Sequence, residues 1–435
     1  MAQEKMLGKK LERTPEKTQE KTSEIEECLD MLLQYAKIQP TEEVHILDAV
    51  DKVLAEEVKA GISVPPYPKS AMDGYAVCAS DLAGTDKEHP LRLPVKGKLM
   101  AGDYEEIPYE KNTAIRVMTG AFIPAGYDAV IRQEDTDYGE DTVTIYTDTK
   151  PYMNYCKMGE DIQAGQTLLS AHTRLTPLHI GLLAEVGIEK VKVYKPLRVA
   201  ILCTGSELMN VGQPLQPGKI YNNISYLLSS AIRREGLEVS AMQICEDEEE
   251  LLLQRLREAL EISDLVITTG GVSVGQKDLI PEVLQKLGAD ILFRRANIQP
   301  GTPTTGSVKD GKIILSLSGN PYAATVNFEI YFWPLAAKMM GHESFDAQKR
   351  IAVLKTPYPK KNHARRFLRA YYANGEVTLP SAVHASSVIS NLMQCNCYID
   401  LEKGREVQVG ENVRVRMIKG LEVEDRDIIE ARMKI

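Results

Sequence analysis

Between Pro196 and Gly341 the sequence alternates apolar, strand-like runs with amphipathic, helical ones, and no other feature restricts the fold as much. Residues 198–204, 238–245, 264–269, 289–295 and 312–317 read as strands. Helices are predicted over 222–235, ended by Gly236, from Asp247 to about Ile262, and over 278–287, ended by Gly288; a long one follows Pro321. Strands separated by helices of this length form βαβ units. A mostly parallel sheet covered on both faces is therefore expected.

In such a sheet ligands bind at the carboxyl ends of the strands. Three loops there have unusual composition: Thr204-Gly205-Ser206-Glu207, Thr268-Thr269-Gly270-Gly271-Val272-Ser273-Val274-Gly275, and Ser316-Leu317-Ser318-Gly319-Asn320-Pro321. Each follows an apolar strand, and the second and third lead into helices, where glycine lets a ligand approach backbone N–H groups. None ends in the Gly-Lys-Ser/Thr of a Walker A loop, and the first strand is not followed by GxGxxG. Any one loop taken alone reads better as a tight turn. Three polar, Gly-bearing loops on one sheet edge point to a site for an anionic, phosphorylated ligand.

Charge then becomes the constraint. The 435-residue chain carries a formal net charge of −9, which argues against general nucleic-acid binding. An acidic protein can still bind polyphosphate if carboxylates first capture Mg²⁺, a hard cation that takes oxygen ligands. Asp247 and Asp278 follow strands and open helices at the loop-bearing edge, and Glu207 adds a third carboxylate. Each Asp is equally suited to cap its helix.

The rest of the chain is organised around this block. Residues 1–22 are polar, lack apolar periodicity and are expected to form a disordered tail. A helix is predicted over 23–35 and a second from Thr41 or Asp48 to about Ala60. Residues 23–63 and 154–193 are grouped as a helical/mixed domain, 64–153 as an inserted β domain, 194–345 as the α/β domain and 346–435 as a C-terminal β domain. No apolar run is long enough to span a bilayer and the charged start has no signal-peptide core, so a cytoplasmic location is expected. The seven cysteines are scattered; the lone pair Cys395 and Cys397 lacks the second pair of a structural zinc site and reads as buried thiols.

Several short runs resemble the molybdopterin molybdenumtransferase family, which includes MoeA and the gephyrin E domain. They are Ser70-Ala71-Met72-Asp73-Gly74-Tyr75-Ala76-Val77, Met118-Thr119-Gly120-Ala121, Gln133-Glu134-Asp135-Thr136, Gly159-Glu160-Asp161-Ile162, Thr204-Gly205-Ser206-Glu207-Leu208 and Thr269-Gly270-Gly271-Val272-Ser273-Val274-Gly275. They stand in the family's order, and the resemblance runs from about residue 25 to the C-terminus. It implies a four-domain α/β homodimer whose central domain resembles the molybdopterin adenylyltransferases. It also implies an enzyme that holds adenylylated molybdopterin, inserts molybdate at the dithiolene and releases AMP with Mg²⁺.

On that resemblance Glu207, Asp247 and Asp278 are the acidic catalytic positions, with Asp247 and Asp278 on the metal. Thr204, Gly205, Gly270, Gly271, Ser273, Gly319 and Asn320 are expected to bind the substrate. Asp73, Thr119 and Asp161 match positions that the dimer brings to the cleft from the partner chain. Two departures stand out. The family's Lys-Pro-Gly-Lys-Pro is Gln299-Pro300-Gly301-Thr302-Pro303 here, and its Pro-Gly-Asn-Pro-Val-Ser is Ser318-Gly319-Asn320-Pro321-Tyr322-Ala323. Gln299 and Thr302 can hydrogen-bond an oxyanion but cannot neutralise it. Arg295 matches a basic position upstream, and Arg294 is a candidate substitute for the missing cations. The alternatives are a non-catalytic or altered paralogue that binds molybdopterin or its adenylate as carrier or sensor, and a scaffold role.

Overall fold

The computed structural model describes residues 22–272, 279–380 and 387–419. The expected tail, Ser273 and Asp278 lie outside the described residues, apart from the tail's last residue, Thr22. The chain divides into one unit of residues 1–40 and 195–435 and another of residues 41–194.

In the first unit a helix, α1 (Ile25–Leu33), opens with a reciprocal capping box between Glu24 and Glu27. The α/β block follows as β1 (Arg198–Thr204), α2 (Ile224–Arg234), β2 (Glu238–Cys245), α3 (Glu249–Ile262), β3 (Leu265–Thr269), α4 (Leu279–Leu287), β4 (Asp290–Arg295), β5 (Pro303–Lys309) and β6 (Lys312–Leu317). A long helical stretch closes it: α5 (Pro321–Asn327), a π-helical turn (Phe328–Phe332) and α6 (Trp333–Met340), which ends at Gly341 with φ +68°. The six strands lie in the order β2-β1-β3-β6-β5-β4. β2, β1, β3 and β6 are parallel, whereas β5 runs antiparallel to both β6 and β4. The βαβ expectation therefore holds for these four strands, three of which carry the Gly-rich loops. β5 was not anticipated; it starts at Pro303, immediately after the Gln299–Thr302 segment.

β1 and β3 are buried almost throughout, as strands covered on both faces must be. Between the sheet and α3 and α4, Leu202 and Val266 pack with Leu252, Leu256, Ile280 and Leu284. The predicted helix starts shift slightly. α3 begins at Glu249 with Glu248 as its cap, so Asp247 is not the cap residue.

The N-terminal helix does not join residues 154–193. Ser23 N–H donates to the Arg295 carbonyl at 3.1 Å, and α1 packs on β4, β5 and α6 of the α/β block. Gly306 explains how: a side chain there would lie 2.4 Å from the Phe293 ring and 3.0 Å from Leu32. The bare backbone leaves a slot that Leu32 of α1 fills.

The C-terminal strands are β7 (Lys349–Leu354), β8 (Arg365–Ala373), β9 (Glu376–Thr378), β10 (Cys397–Leu401) and β11 (Asn412–Met417). Their pairing runs β8-β9-β7-β11-β10 and returns from β10 to β8, which closes a small barrel. Leu354, Leu368, Ile399 and Val415 fill it. Cys395 and Cys397 are buried free thiols, and burial pushes the Cys395 thiol up to about 12.

The second unit contains a five-stranded sheet in the order Ala129–Arg132, Gly74–Val77, Ala114–Val117, Leu91–Leu99, Thr142–Ile145. A further helix, Pro177–Glu185, packs over Ile46, Leu54 and Val193. The helix expected from Thr41 or Asp48 is not formed. Thr41–His45 is a strand paired antiparallel with Lys190–Tyr194, followed by a single 3₁₀ turn. The strand's Val44 packs in the same core, so tertiary pairing overrides local propensity.

Glu329, in the π-helical turn, is buried, with its Oε2 accepting from Lys419 N–H at 3.2 Å. Burial pushes its carboxyl up to about 7, against the pull of Arg416 and Lys419. A carboxyl raised above its ordinary 4.5 costs stability as pH climbs from the unfolded value through the folded one. Glu329→Gln should therefore be more stable than wild type at pH 8, by an amount on the order of 3 kcal/mol. The gap should close at about pH 4. Urea denaturation at the two pH values reads the difference directly; equal gaps at both would mean that Glu329 is not protonated on folding.

Candidate ligand-binding cleft

The chain leaves β1 for β2 on one side and returns to β3 on the other, so the sheet order switches at β1. At the carboxyl ends of β1, β3 and β6 a cleft of about 470 Å³ opens, lined by Thr204, Gly205, Glu207, Asp247, Gly270, Gly271, Gly319 and Asn320 among others. This is the place where open α/β sheets bind ligands.

Close backbone approach shapes the cleft. Gly270 has φ +90°, and a side chain there would meet the Thr204 carbonyl oxygen at 2.3 Å. Gly271 follows at φ +63°, with its missing Cβ facing the Thr204 hydroxyl at 3.3 Å. A Cβ on Gly319 would sit 3.2 Å from the Gly270 Cα. Thr204 itself is buried and its hydroxyl donates to the Thr269 carbonyl at 3.3 Å. The three loops thus interlock through their glycines.

Two carboxylates sit on the rim. Asp247 Oδ2 accepts from Ser206 N–H at 3.1 Å, tying the end of β2 to the loop after β1. The Glu207 carboxylate folds back so that both oxygens lie 2.8 Å from where a Gly205 side chain would be. Lys219 donates to the Ser206 carbonyl at 2.5 Å from the facing turn. Among the described residues no group of three or more Asp, Glu, His or Cys is placed to hold a metal. Asp247 and Glu207 are the two carboxylates among the residues lining the cleft. Asn222 and Asn223 also line the cleft. Sequence reasoning passed over both; the signal was an Asn pair at a helix start, and Asn222 Oδ1 accepts from Ser225 N–H at 3.2 Å.

Arg295, Gln299 and Thr302 are not among the residues lining this cleft. The Thr302 hydroxyl donates to the Ile298 carbonyl at 2.6 Å, an internal bond that competes with any role on an oxyanion. The Gln299–Pro300 peptide is cis. Asn327 donates to the Gly301 carbonyl at 2.9 Å and also contacts Thr304. Arg294 is exposed on β4.

In the second unit, Asp73 Oδ1 accepts from both the N–H and the hydroxyl of Thr119, each at 2.7 Å. Those bonds hold the Asp73 carboxyl below its usual range. Gly74 is dictated by packing, since a Cβ would lie 1.9 Å from the Ile131 carbonyl oxygen. Asp161 is exposed, its N–H donating to the Val64 carbonyl at 3.1 Å. Asp73 and Thr119 therefore form one element, and Asp161 belongs to a separate turn.

Fold and cleft define a multidomain protein built around an α/β ligand-binding module with a C-terminal β barrel. The MoeA N-terminal region (domains I and II) matches residues 23–187, the probable molybdopterin binding domain residues 200–338, and the MoeA C-terminal region (domain IV) residues 352–418. The molybdopterin molybdenumtransferases of Haemophilus influenzae and Bacillus subtilis are each 36% identical to it, the first over 88% of this chain and 96% of its own length. The second match covers 91% and 94%. A molybdopterin biosynthesis MoeA structure from Pyrococcus horikoshii superposes with a TM-score of 0.84 at 31% identity, covering 92% of this chain and all of the other. The chain belongs to the MoeA family.

The interlocked glycines give a direct test of the cleft. Gly270→Ala places a methyl group against the Thr204 carbonyl in a left-handed backbone, at a cost of about 1–3 kcal/mol. It should lower the melting temperature and open the cleft. Unchanged melting would show that the loop tolerates the displacement.

Proposed function

We propose that the protein is a molybdopterin molybdenumtransferase that inserts molybdate into adenylylated molybdopterin and releases AMP in a Mg²⁺-dependent step of molybdenum cofactor biosynthesis. The observation that carries this reading is the cleft at the switch point, where three Gly-bearing loops and the carboxylates of Asp247 and Glu207 surround about 470 Å³. Glycine at 205, 270, 271 and 319 lets the three loops converge, and backbone N–H groups turned toward the cleft would hold phosphate oxygens. Mg²⁺ bound there would stabilise charge that develops as the phosphoanhydride breaks. Asp247 and Glu207 would hold it, with Asp278 and Ser273 next in sequence after the Gly270–Val272 turn. Asp247 also fixes the Ser206 peptide, so it serves the loop and the ion together.

The remaining assignments form part of the same proposal. The chain acts as a cytoplasmic homodimer of four domains (residues 41–63 with 154–193, 64–153, 194–345 together with the N-terminal helix α1, and 346–435), in which Asp73, Thr119 and Asp161 of one protomer serve its partner's cleft. Arg295, Gln299 and Thr302 belong to the oxyanion half of the site, and Thr204 and Asn320 to the nucleotide half. A second reading, an altered paralogue that carries or senses molybdopterin adenylate, is favoured by one specific observation. Thr302 is engaged with Ile298, and no lysine stands in the 299–303 segment.

Incubation with adenylylated molybdopterin, Mg²⁺ and molybdate separates the two. The insertase releases AMP only when molybdate is present; release without molybdate, or none, would leave the carrier reading. Asp247→Asn should slow molybdate-dependent release by about 10- to 100-fold, the range for loss of a metal-site partner. Excess Mg²⁺ should restore part of it. An unchanged rate would remove Asp247 from the reaction.

A further inference from the structure

A groove of about 410 Å³ that shares no lining residue with the cleft is formed by α2, the π-helical stretch and the barrel. The sequence of α2 explains one side of it. The helix's core face carries Ile224, Leu228 and Ile232, all buried. Leu227 and Ala231, each one position earlier, make a second apolar stripe that stays only half-buried and lines the groove. Phe328 and Tyr398 line it as buried rings, whereas Met393 is 75% exposed at its mouth. An apolar hollow with an adaptable methionine at its edge has the character of a binding face.

The chain itself supplies an occupant. Ile418 and Lys419 line the same groove and are fixed there. Ile418 N–H donates to the Asn396 carbonyl at 2.8 Å, Lys419 N–H to Glu329 Oε2 at 3.2 Å, and the Lys419 ammonium pairs with Glu235 at 3.0 Å. Residues 420–435, outside the described ones, therefore start at the groove's edge. Their sequence suits the site in two respects. Glu422, Glu424, Asp425 and Asp427, with Arg426 as the one cation among them, come first, and α2 ends in the exposed Arg233 and Arg234, the second of which lines the groove. Ile428, Ile429 and Met433 follow, spaced to share one side of a helical turn. Reach is not limiting, since the chain from Lys419 to Ile429 spans roughly 33 Å at full extension.

We propose that this groove is the docking site of the chain's own C-terminal segment, with Ile428, Ile429 and Met433 packed on Leu227, Ala231 and Met393 and the acidic residues 422–427 facing the basic end of α2. Burial of aliphatic side chains drives the contact. The covalent tether at Lys419 raises the segment's effective concentration, so a contact too weak to hold a free peptide is enough to hold this one. α2 begins at the cleft, where Asn222, Asn223 and Ile224 line it. A docked segment therefore braces a helix that carries part of the ligand site. The assignment does not depend on which ligand the cleft takes.

Limited trypsin digestion of the full-length protein reads the docking through cleavage after Arg426 and Arg432, with melting temperature as a check on folding. Met393→Glu, at an exposed position, and Ile429→Asp should each speed that cleavage by about 10- to 100-fold, the effect of losing one buried aliphatic contact. Met393→Leu should leave it unchanged. A second measurement pairs Met393→Cys with Ile429→Cys in the full chain. Mild oxidation should join the two within one chain, identified by mapping the linked peptides. Equal cleavage rates in wild type and Met393→Glu overturn the proposal, whether both are fast, which leaves the groove uncovered, or both slow, which puts the segment elsewhere. Failure of the two cysteines to join overturns it as well, and a disulfide formed only between two chains assigns the groove to a second copy instead.

Discussion

The Gly270 backbone rests against the Thr204 carbonyl, and the cleft exists because nothing larger than hydrogen separates them. The 2.3 Å that a Cβ would leave is far inside contact distance, so the loops after β1 and β3 can converge only with glycine at that position. Gly319 repeats the arrangement one strand further, with its own missing Cβ 3.2 Å from Gly270. Three strand ends are thereby drawn to one point, and the backbone groups they expose face a common volume. Asp247 reaches the same loop from β2 through Ser206 N–H. The position of every rim residue follows from that convergence.

Much of this was legible beforehand, because a parallel sheet writes its pattern in short range. Apolar runs such as 198–204 and 312–317 have no polar interruption, and Gly236 and Gly288 mark helix ends with positive φ. Those signals need no knowledge of distant contacts. α1 was misplaced because its destination depends on Gly306, nearly three hundred residues away, whose bareness makes room for Leu32. The helix expected from Thr41 or Asp48 fails for a related reason: the strand partner of Thr41–His45, Lys190–Tyr194, is remote in sequence. Local periodicity describes an element's own face, not the surface that receives it.

The candidate site divides along the same line. Asp247 and Glu207 were legible since each stands directly after a strand that ends at the cleft. Asn222 and Asn223 were not, because a helix-start asparagine pair has an ordinary turn function. Asp73 and Thr119 were picked out only as members of family runs. Their physical link, two hydrogen bonds to one carboxylate oxygen, bridges two strand ends that no spacing rule connects.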